Sequence, residues 1–147
     1  MTNIDIMTEM TEMTEIVRPV VVVADDDADI CELAKMQLTR HGFQVFSADD
    51  GVAALELIGL HRPLVALLDI MMPKLNGLEV ARRVRADPAT SQVGIIIFSA
   101  RSTFGNEEDI ADIGVDDYIE KPFSPKDLVQ RINAVISNLQ TNKPIQQ

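Results

Sequence analysis

The chain has 147 residues, a common size for a single domain, and 46% of them are hydrophobic, which is enough for a globular core. It carries 23 acidic residues against 13 basic ones, a formal net charge of -10, and this excludes a dedicated nucleic-acid-binding protein because phosphate contacts need clustered Lys and Arg. The longest apolar runs are about five or six residues, far too short to span a membrane.

The first 17 residues differ from the rest of the chain. They repeat the triplet Met-Thr-Glu three times, and four apolar residues follow the spacing 4, 3, 4 of one helix face, namely Ile6, Met10, Met13 and Val17. A loose acidic tail explains the same residues equally well. Residues 1–17 are therefore predicted to be an N-terminal extension that is either disordered or a short amphipathic helix. They lack the positive start and apolar block of a secretory signal.

Regular secondary structure is predicted from residue 18 onward. Val20–Ala24 is a β-branched run without polar alternation, which indicates a strand buried on both faces. Asp27 is well placed to cap the helix that follows, and Gly42 to end it. The first two strands and two helices are predicted over residues 20–24, 28–40, 43–48 and 52–60.

The same alternation continues to the end of the chain. Three more strands are predicted over residues 64–68, 94–98 and 116–119, and three more helices over residues 78–86, 106–113 and 124–139. Strands without polar alternation that are separated by helices predict a single-domain α/β fold, with a parallel sheet covered by helices on both faces. The domain is predicted to occupy residues 18–140, and the polar residues 141–147 to form a loose tail.

Polar residues follow or end four of the five predicted strands. Asp25 and Asp26 follow the first strand, Asp69 the third and Ser99 the fourth, and Lys121 lies just past the fifth. In an open parallel sheet, ligands bind beyond the carboxyl ends of the strands. We therefore expect these five side chains to form one site. Each residue taken alone has an ordinary structural explanation, such as a helix cap, a turn or a solvated charge. These explanations would all have to be true at the same time, at four strand ends on one edge of the sheet, so a shared site is the better interpretation.

The predicted cluster has the parts required for phosphoryl chemistry. Carboxylates about 5 Å apart repel one another by roughly 3 kcal/mol per pair at an effective dielectric constant of 20, so the cluster must protonate, pair with a cation or bind a metal ion. Oxygen ligands with room for water favour Mg²⁺. A carboxylate can attack phosphorus and form an acyl phosphate, while a metal ion, a lysine and a hydroxyl stabilise the transferring group.

Cys31 is the chain's single cysteine, so no disulfide can form within the chain. It is interpreted as a small, largely buried residue on the first helix, because its neighbours Ile30 and Glu32 do not activate a thiol. Together with the absence of a signal sequence, this predicts a protein of the reducing cytoplasm.

The sequence resembles the response regulator receiver family of two-component signalling over about residues 18–140. The intervals match that family as well: 43 residues separate Asp26 from Asp69, 30 separate Asp69 from Ser99, and 22 separate Ser99 from Lys121. The matching segments are Val22–Asp27, Leu67–Pro73, Asn76–Gly77, Phe98–Ala100 and Tyr118–Phe123. The resemblance implies a doubly wound, flavodoxin-like (CheY-like) sheet of five strands in the order 2-1-3-4-5.

By this resemblance, Asp69 is the acceptor of a phosphoryl group from a sensor histidine kinase or a phosphotransfer protein. The resemblance also implies that Mg²⁺ is held by Asp26, Asp69 and the backbone carbonyl of Met71, with assistance from Asp25. Lys121 pairs with the acceptor carboxylate of Asp69 and then with the phosphoryl group, which Ser99 also contacts, and Ser99 and Tyr118 form the switch. Met71 and Arg101 stand where the family tunes dephosphorylation, and the peptide bond from Lys121 to Pro122 is cis in the family.

One surface departs from the family pattern. Winged-helix transcription factors of this family pair a basic residue early in the fourth helix with an acidic residue on the fifth helix of a partner, but the corresponding residues here are Glu107 and Asp127, which repel. We therefore do not expect that dimer. Because no effector domain is recognised after Gln140, we expect a stand-alone regulator that contacts a downstream protein through its fourth helix, fifth strand and fifth helix. It is expected to bind neither nucleic acid nor membrane. The alternative is an input domain cut from a larger response regulator.

Two other functions fit the residues less well. A haloacid-dehalogenase-like phosphatase also uses an aspartate nucleophile, but it needs a second aspartate where this chain has Met71. We therefore expect no enzymatic activity beyond the chain's own phosphorylation and dephosphorylation. An EF-hand calcium loop beginning at Asp25 would need a glycine and a glutamate where this chain has Ile30 and Met36. We therefore expect no calcium site of this kind.

Overall fold

The computed structural model describes residues 18–100 and 107–142, and strands and helices alternate through them. The strands are β1 (Val20–Ala24), β2 (Gln44–Ala48), β3 (Val65–Leu68), β4 (Gly94–Ala100) and β5 (Asp117–Lys121). The helices are α1 (Ala28–Arg40), α2 (Gly51–His61), α3 (Gly77–Ala86), α4 (Glu107–Ile113) and α5 (Pro125–Asn142). In the part of the chain described, no helix is both long and apolar enough to cross a lipid bilayer.

The five strands form one parallel sheet in the order β2-β1-β3-β4-β5, which confirms the predicted fold. The central strand β3 is fully buried because it is apolar on both faces: it reads Val-Ala-Leu-Leu without a polar residue. The register pairs Ala24 with Leu68 and Leu68 with Ile97, so β1, β3 and β4 run side by side to the same edge. This edge carries the predicted site.

Helices cover both faces of the sheet, as the doubly wound fold requires. One core cluster joins the sheet to α1 through Ala34 and Leu38 and to α5 through Leu128 and Ile132. The other joins the opposite face of the sheet to α2, α3 and α4, and includes Ile58, Val80, Val84 and Ile113. The two cores fix each strand from both sides and therefore hold the strand ends in place.

Most predicted boundaries agree with the structure within one or two residues, and the differences of two residues or more lie at the carboxyl ends. The α1 helix begins as predicted, because the Asp27 side chain accepts hydrogen bonds from the backbone N–H groups of Asp29 and Ile30. Strands β4 and β5 extend two residues beyond their predicted ends, because their pairing continues as far as Ala100 and Lys121. Helix α5 continues to Asn142, into the segment that was predicted to be loose.

Two glycines allow the loop between β3 and α3 to pack closely beneath the predicted site. A Cβ atom on Gly77 would clash with the backbone carbonyl of Asp69, and one on Gly51 would clash with the backbone of Leu75. The Gly77 N–H group donates to the carbonyl of Ile70 at 3.0 Å. The loop therefore lies against α2 and fixes the backbone around Asp69.

The guanidinium of Arg85 fastens the carboxyl end of α3 to two neighbouring segments. It donates to the backbone carbonyls of Ser91 and Val93 before β4, and to that of Gly114 after α4. It also pairs with the Asp116 carboxylate at 3.0 Å, whose same oxygen accepts the backbone N–H of Ile95 at 2.8 Å. Because one side chain satisfies this many acceptors, its loss leaves several of them without their partner.

We expect Arg85→Ala to lower the free energy of unfolding by about 2 kcal/mol, since charge-assisted hydrogen bonds to partly buried acceptors are lost. Urea unfolding followed by circular dichroism measures this change. Arg83→Ala is the matched control, because Arg83 is exposed on the same helix and the two substitutions change helix propensity equally. Equal stability of the two variants would show that the Arg85 contacts contribute nothing.

Candidate functional site

The structure brings all five residues predicted from the strand ends to one edge of the sheet. The backbone ladder continues one residue past the strands: the N–H of Asp25 donates to Ala48 at 3.1 Å, and the N–H of Asp69 donates to Ala24 at 2.9 Å. This continuation places the two aspartates side by side. One carboxylate oxygen from each of Asp25, Asp26 and Asp69 lies within 4.8 Å of the others.

Burial differs sharply among these residues. Asp25 is 1% exposed, Asp69 4% and Ser99 2%, whereas Asp26 is exposed to solvent. The Ser99 hydroxyl donates to Oδ1 of Asp69 at 2.9 Å. Within the described residues, every buried side-chain nitrogen and oxygen has a hydrogen-bond partner. The cluster is therefore a satisfied polar network that opens to solvent on the side of Asp26.

Lys121 is the cation that balances the buried carboxylates. Its Nζ atom lies 2.6 Å from Oδ2 of Asp25 and 3.5 Å from Oδ2 of Asp69, and its side chain is 19% exposed. The resemblance led us to expect pairing with Asp69, and the shorter contact is instead with Asp25. The peptide bond from Lys121 to Pro122 is cis, as the resemblance implied.

The ionisation of the site reflects this crowding. Burial and the neighbouring charge of Asp25 raise the pKa of the Asp69 carboxyl, although the Ser99 hydroxyl, the Lys121 ammonium and the Met71 backbone N–H act in the opposite direction. Burial lowers the pKa of Lys121, but its hydrogen bond and charge interaction with Asp25, together with Asp69, outweigh burial and raise it. The site thus holds Lys121 protonated while it disfavours charge on Asp69.

The donor set fits a hard divalent cation. Three carboxylates offer oxygen ligands within reach of one ion, and a single ammonium does not neutralise three negative charges. The exposed side at Asp26 leaves room for water ligands, which Mg²⁺ retains in proteins. The Met71 backbone, two residues after Asp69, already approaches the cluster through its N–H group.

The remaining predicted residues lie at the margin of the site or outside the described residues. The Met71 side chain is 62% exposed, and Tyr118 is 52% exposed, so Tyr118 lies at the surface and not in the core. Arg101 falls among residues 101–106, outside those that the structure describes, as does the N-terminal extension at residues 1–17.

Two contacts of the site were not predicted from sequence. The Lys121 Nζ atom lies 4.9 Å from the centroid of the Phe98 ring, whereas the sequence placed Phe98 only in a strand and in a segment that matches the family. The Cys31 thiol was predicted to be buried, and it is, but it also donates to the backbone carbonyl of Asp25 at 3.3 Å. Burial and the charge of Asp25 raise the pKa of Cys31 to about 11. Both contacts depend on side-chain placement, for which no sequence pattern gave a signal.

Comparison with known proteins agrees with this geometry. The family model described as response regulator receiver domain matches residues 21–133. A probable transcriptional regulator, ycf27, of Guillardia theta is 42% identical over 123 residues, which are 84% of this chain and 46% of that protein. The response regulator MprA of a Mycobacterium species, strain KMS, is 38% identical over 79% of this chain and 50% of its own length. The chain thus spans about half the length of these curated relatives.

Solved structures show the same similarity. The receiver domain of the Francisella response regulator 1452 is 34% identical with a TM-score of 0.73, covering 82% of this chain and 98% of that one. A response regulator structure from Chloroflexus aurantiacus is 28% identical with a TM-score of 0.73, covering 81% of this chain and 98% of that one.

We expect Lys121→Met to bind Mg²⁺ or Mn²⁺ at least about threefold more tightly, because removing the ammonium leaves the carboxylates uncompensated and a divalent ion replaces it. Titration with Mn²⁺, followed by the electron paramagnetic resonance signal of the free ion, measures the dissociation constant. Lys126→Met is the control, since Lys126 is an exposed residue of α5. Weaker binding by the Lys121 variant would contradict a competition between the ammonium and the metal.

We also expect Asp69→Asn to stabilise the metal-free protein at pH 7 and to have little effect near pH 3.8. The folded pKa of Asp69 is raised above its ordinary value of 3.8, so the folded state is penalised when the pH exceeds the folded pKa, and this penalty is absent below 3.8. Urea midpoints measured in EDTA at both pH values test the expectation. Asp112→Asn, at an exposed position, serves as the control. A stabilisation that is independent of pH would rule out this explanation.

Proposed function

The chain belongs to the response regulator receiver family, and from this membership we propose that it accepts a phosphoryl group on Asp69 and changes a protein-binding surface in response. The observation that carries the proposal is the position of Asp69. Its carboxylate is buried at the end of β3 between the Ser99 hydroxyl and the Lys121 ammonium, with two further aspartates beside it. The proposed donor is a phosphohistidine on a sensor histidine kinase or a phosphotransfer protein.

The proposed reaction forms an acyl phosphate. A carboxylate oxygen of Asp69 attacks phosphorus, the P–N bond of the phosphohistidine breaks, and its electron pair remains on the imidazole. The Lys121 ammonium lies 3.5 Å from Oδ2 of Asp69 and is therefore within reach of an oxygen on the incoming group. The Ser99 hydroxyl lies 2.9 Å from the other carboxylate oxygen and can donate to a second one. These groups stabilise charge on the transferring phosphoryl.

The proposed cofactor is Mg²⁺, held by Asp25, Asp26, Asp69 and the Met71 backbone carbonyl. When bound, the ion supplies positive charge that neutralises the phosphoryl oxygens. The exposed Asp26 gives the ion a route in from solvent, while the buried Asp25 keeps a partner in Lys121 before the ion arrives. The acidic cluster supports this assignment because, without a second cation, its carboxylates repel one another.

Phosphorylation is proposed to act through Ser99 and Tyr118. The Ser99 hydroxyl would exchange its bond to Asp69 for one to the phosphoryl group, and the half-exposed Tyr118, three residues before Lys121, would move inward. Converting a population from about 1% to about 99% active takes roughly 5.5 kcal/mol of differential stabilisation, which the new phosphoryl contacts and the burial of Tyr118 would supply together. Met71 and Arg101 are proposed to tune the lifetime of the phosphorylated form.

The output surface is proposed to be a protein-contact face made by α4, β5 and α5, acting in a stand-alone regulator of the cytoplasm. The charges on this face support that proposal. Arg131 pairs within the chain with Asp117 and with Asp127, each at 3.1 Å, so its guanidinium is engaged before any partner arrives. Glu107 and Asp127 stand where winged-helix relatives use opposite charges between subunits. We propose a different downstream protein in place of that dimer.

The alternative is that these residues form the input domain of a longer response regulator. The favouring observation is length, because the chain spans only 46% of ycf27 and 50% of MprA. The mass of the native polypeptide in its own cell distinguishes the two. Residues 18–140 are proposed as the receiver domain in either case, with residues 1–17 and 141–147 as flanking segments.

Incubation with acetyl phosphate and Mg²⁺ tests the acceptor. We expect the mass of one phosphoryl group to appear on the protein and to disappear after hydroxylamine treatment, which cleaves acyl phosphates. Asp69→Ala should abolish this modification because the nucleophilic oxygen is removed. Asp112→Ala should retain it, since Asp112 is an exposed residue of α4 and is not one of the clustered aspartates. Persistent labelling of Asp69→Ala would show that another residue is the acceptor.

A further inference from the structure

The ammonium of Lys121 has an aromatic neighbour as well as its carboxylate partners. Its Nζ atom lies 4.9 Å from the centroid of the Phe98 ring, inside the distance of about 6 Å at which a cation is attracted to a ring face. Phe98 is 0% exposed and the Lys121 side chain is 19% exposed. Because both groups are largely removed from water, this attraction is stronger than that of an exposed pair.

The Phe98 ring is itself held in place. It belongs to the core cluster between the sheet, α1 and α5, and the ring of Phe123 lies edge-on to it with centroids 6.0 Å apart and an interplanar angle of 65°. Close-packed core side chains occupy well-defined rotamers. The ring therefore offers a fixed surface on which the flexible end of a lysine can rest.

The other partners of Lys121 change during the proposed reaction. Asp25, at 2.6 Å, is a proposed metal ligand, and Asp69, at 3.5 Å, is both a proposed ligand and the acceptor. A metal ion competes for both carboxylates, and a phosphoryl group occupies an oxygen of Asp69. The ring face of Phe98 is a partner that neither of them can take.

We propose that Phe98 is a positioning residue for Lys121. Its ring holds the ammonium at the site by a cation–π interaction while the ammonium exchanges a carboxylate oxygen for a phosphoryl oxygen. Without this attraction, an ammonium that had lost its carboxylate partners would turn towards solvent on the open side of the cluster. The inference rests on the proposed function of Lys121. It adds to that function a residue of β4 that would act through Lys121 and not on the phosphoryl group itself.

Fluorinated phenylalanines at position 98 provide the test, because each added fluorine weakens the ring's attraction for a cation with little change in volume. Incorporation of monofluoro-, difluoro- and trifluorophenylalanine should slow phosphorylation by acetyl phosphate stepwise, by about threefold to tenfold overall. The same residues at Phe43 are the control, since Phe43 is buried in the same core cluster. An unchanged rate across the series at position 98, or an equal fall at position 43, overturns the proposal.

A second measurement does not depend on phosphorylation. Protons above an aromatic ring face are shifted upfield in NMR spectra, so the terminal methylene protons of Lys121 should show such a shift, and Phe98→Leu should remove it. Ile96→Val, in the same strand and the same core, should leave it unchanged. If acetyl phosphate fails to modify the unsubstituted protein, the proposed function fails, and the shift alone then decides whether Phe98 holds Lys121. A Lys121 signal that Phe98→Leu does not move overturns the contact.

Discussion

Placing two buried carboxylates beside each other, with one lysine between them, is the constraint on which the rest of this structure depends. Asp25 and Asp69 come together because the parallel ladder continues one residue past β1 and β3. A shift of one residue in either strand would turn its aspartate to the opposite face of the sheet. The buried strands, the two cores and the glycines beneath the loop after Asp69 all fix this register. Lys121 makes the arrangement tolerable, since unpaired buried charges are strongly destabilising.

The fold could be predicted because its pattern is simple. Strands without polar alternation separated by helices leave few topologies, and strand-end residues of a parallel sheet meet at one edge. The site residues followed from that rule without knowledge of any side-chain position. The ends of strands were less predictable. The pairing of β4 with β5 continues past Ser99 on one strand and as far as Lys121 on the other, whereas a prediction from hydrophobic residues ends the strand at the first polar residue.

The finer geometry of the site could not be obtained in this way. The resemblance paired Lys121 with Asp69, yet the ammonium lies closer to Asp25, a difference of about an ångström that electrostatics and packing decide together. The aromatic contact with Phe98 has the same origin. Residues 98 and 121 belong to different strands, and their meeting depends on how far a long side chain reaches back along the sheet.

The charged groups of the site are not arranged for the most favourable electrostatic energy, and this matters for the proposed switch. Burial and Asp25 disfavour charge on Asp69, while Lys121 is shared unequally between two carboxylates. A ligand shifts a conformational equilibrium only by the difference in its interactions with the two states. The Ser99 hydroxyl already donates a hydrogen bond to Asp69. Replacing that bond with one to a phosphoryl oxygen, as proposed, would therefore contribute only the difference in free energy between the two hydrogen bonds. In the proposed reaction Lys121 has more to gain, because its contact with Asp69 is the longer of its two carboxylate contacts and would shorten on a phosphoryl oxygen. The position of Lys121 would therefore set much of the differential stabilisation that the proposed switch requires.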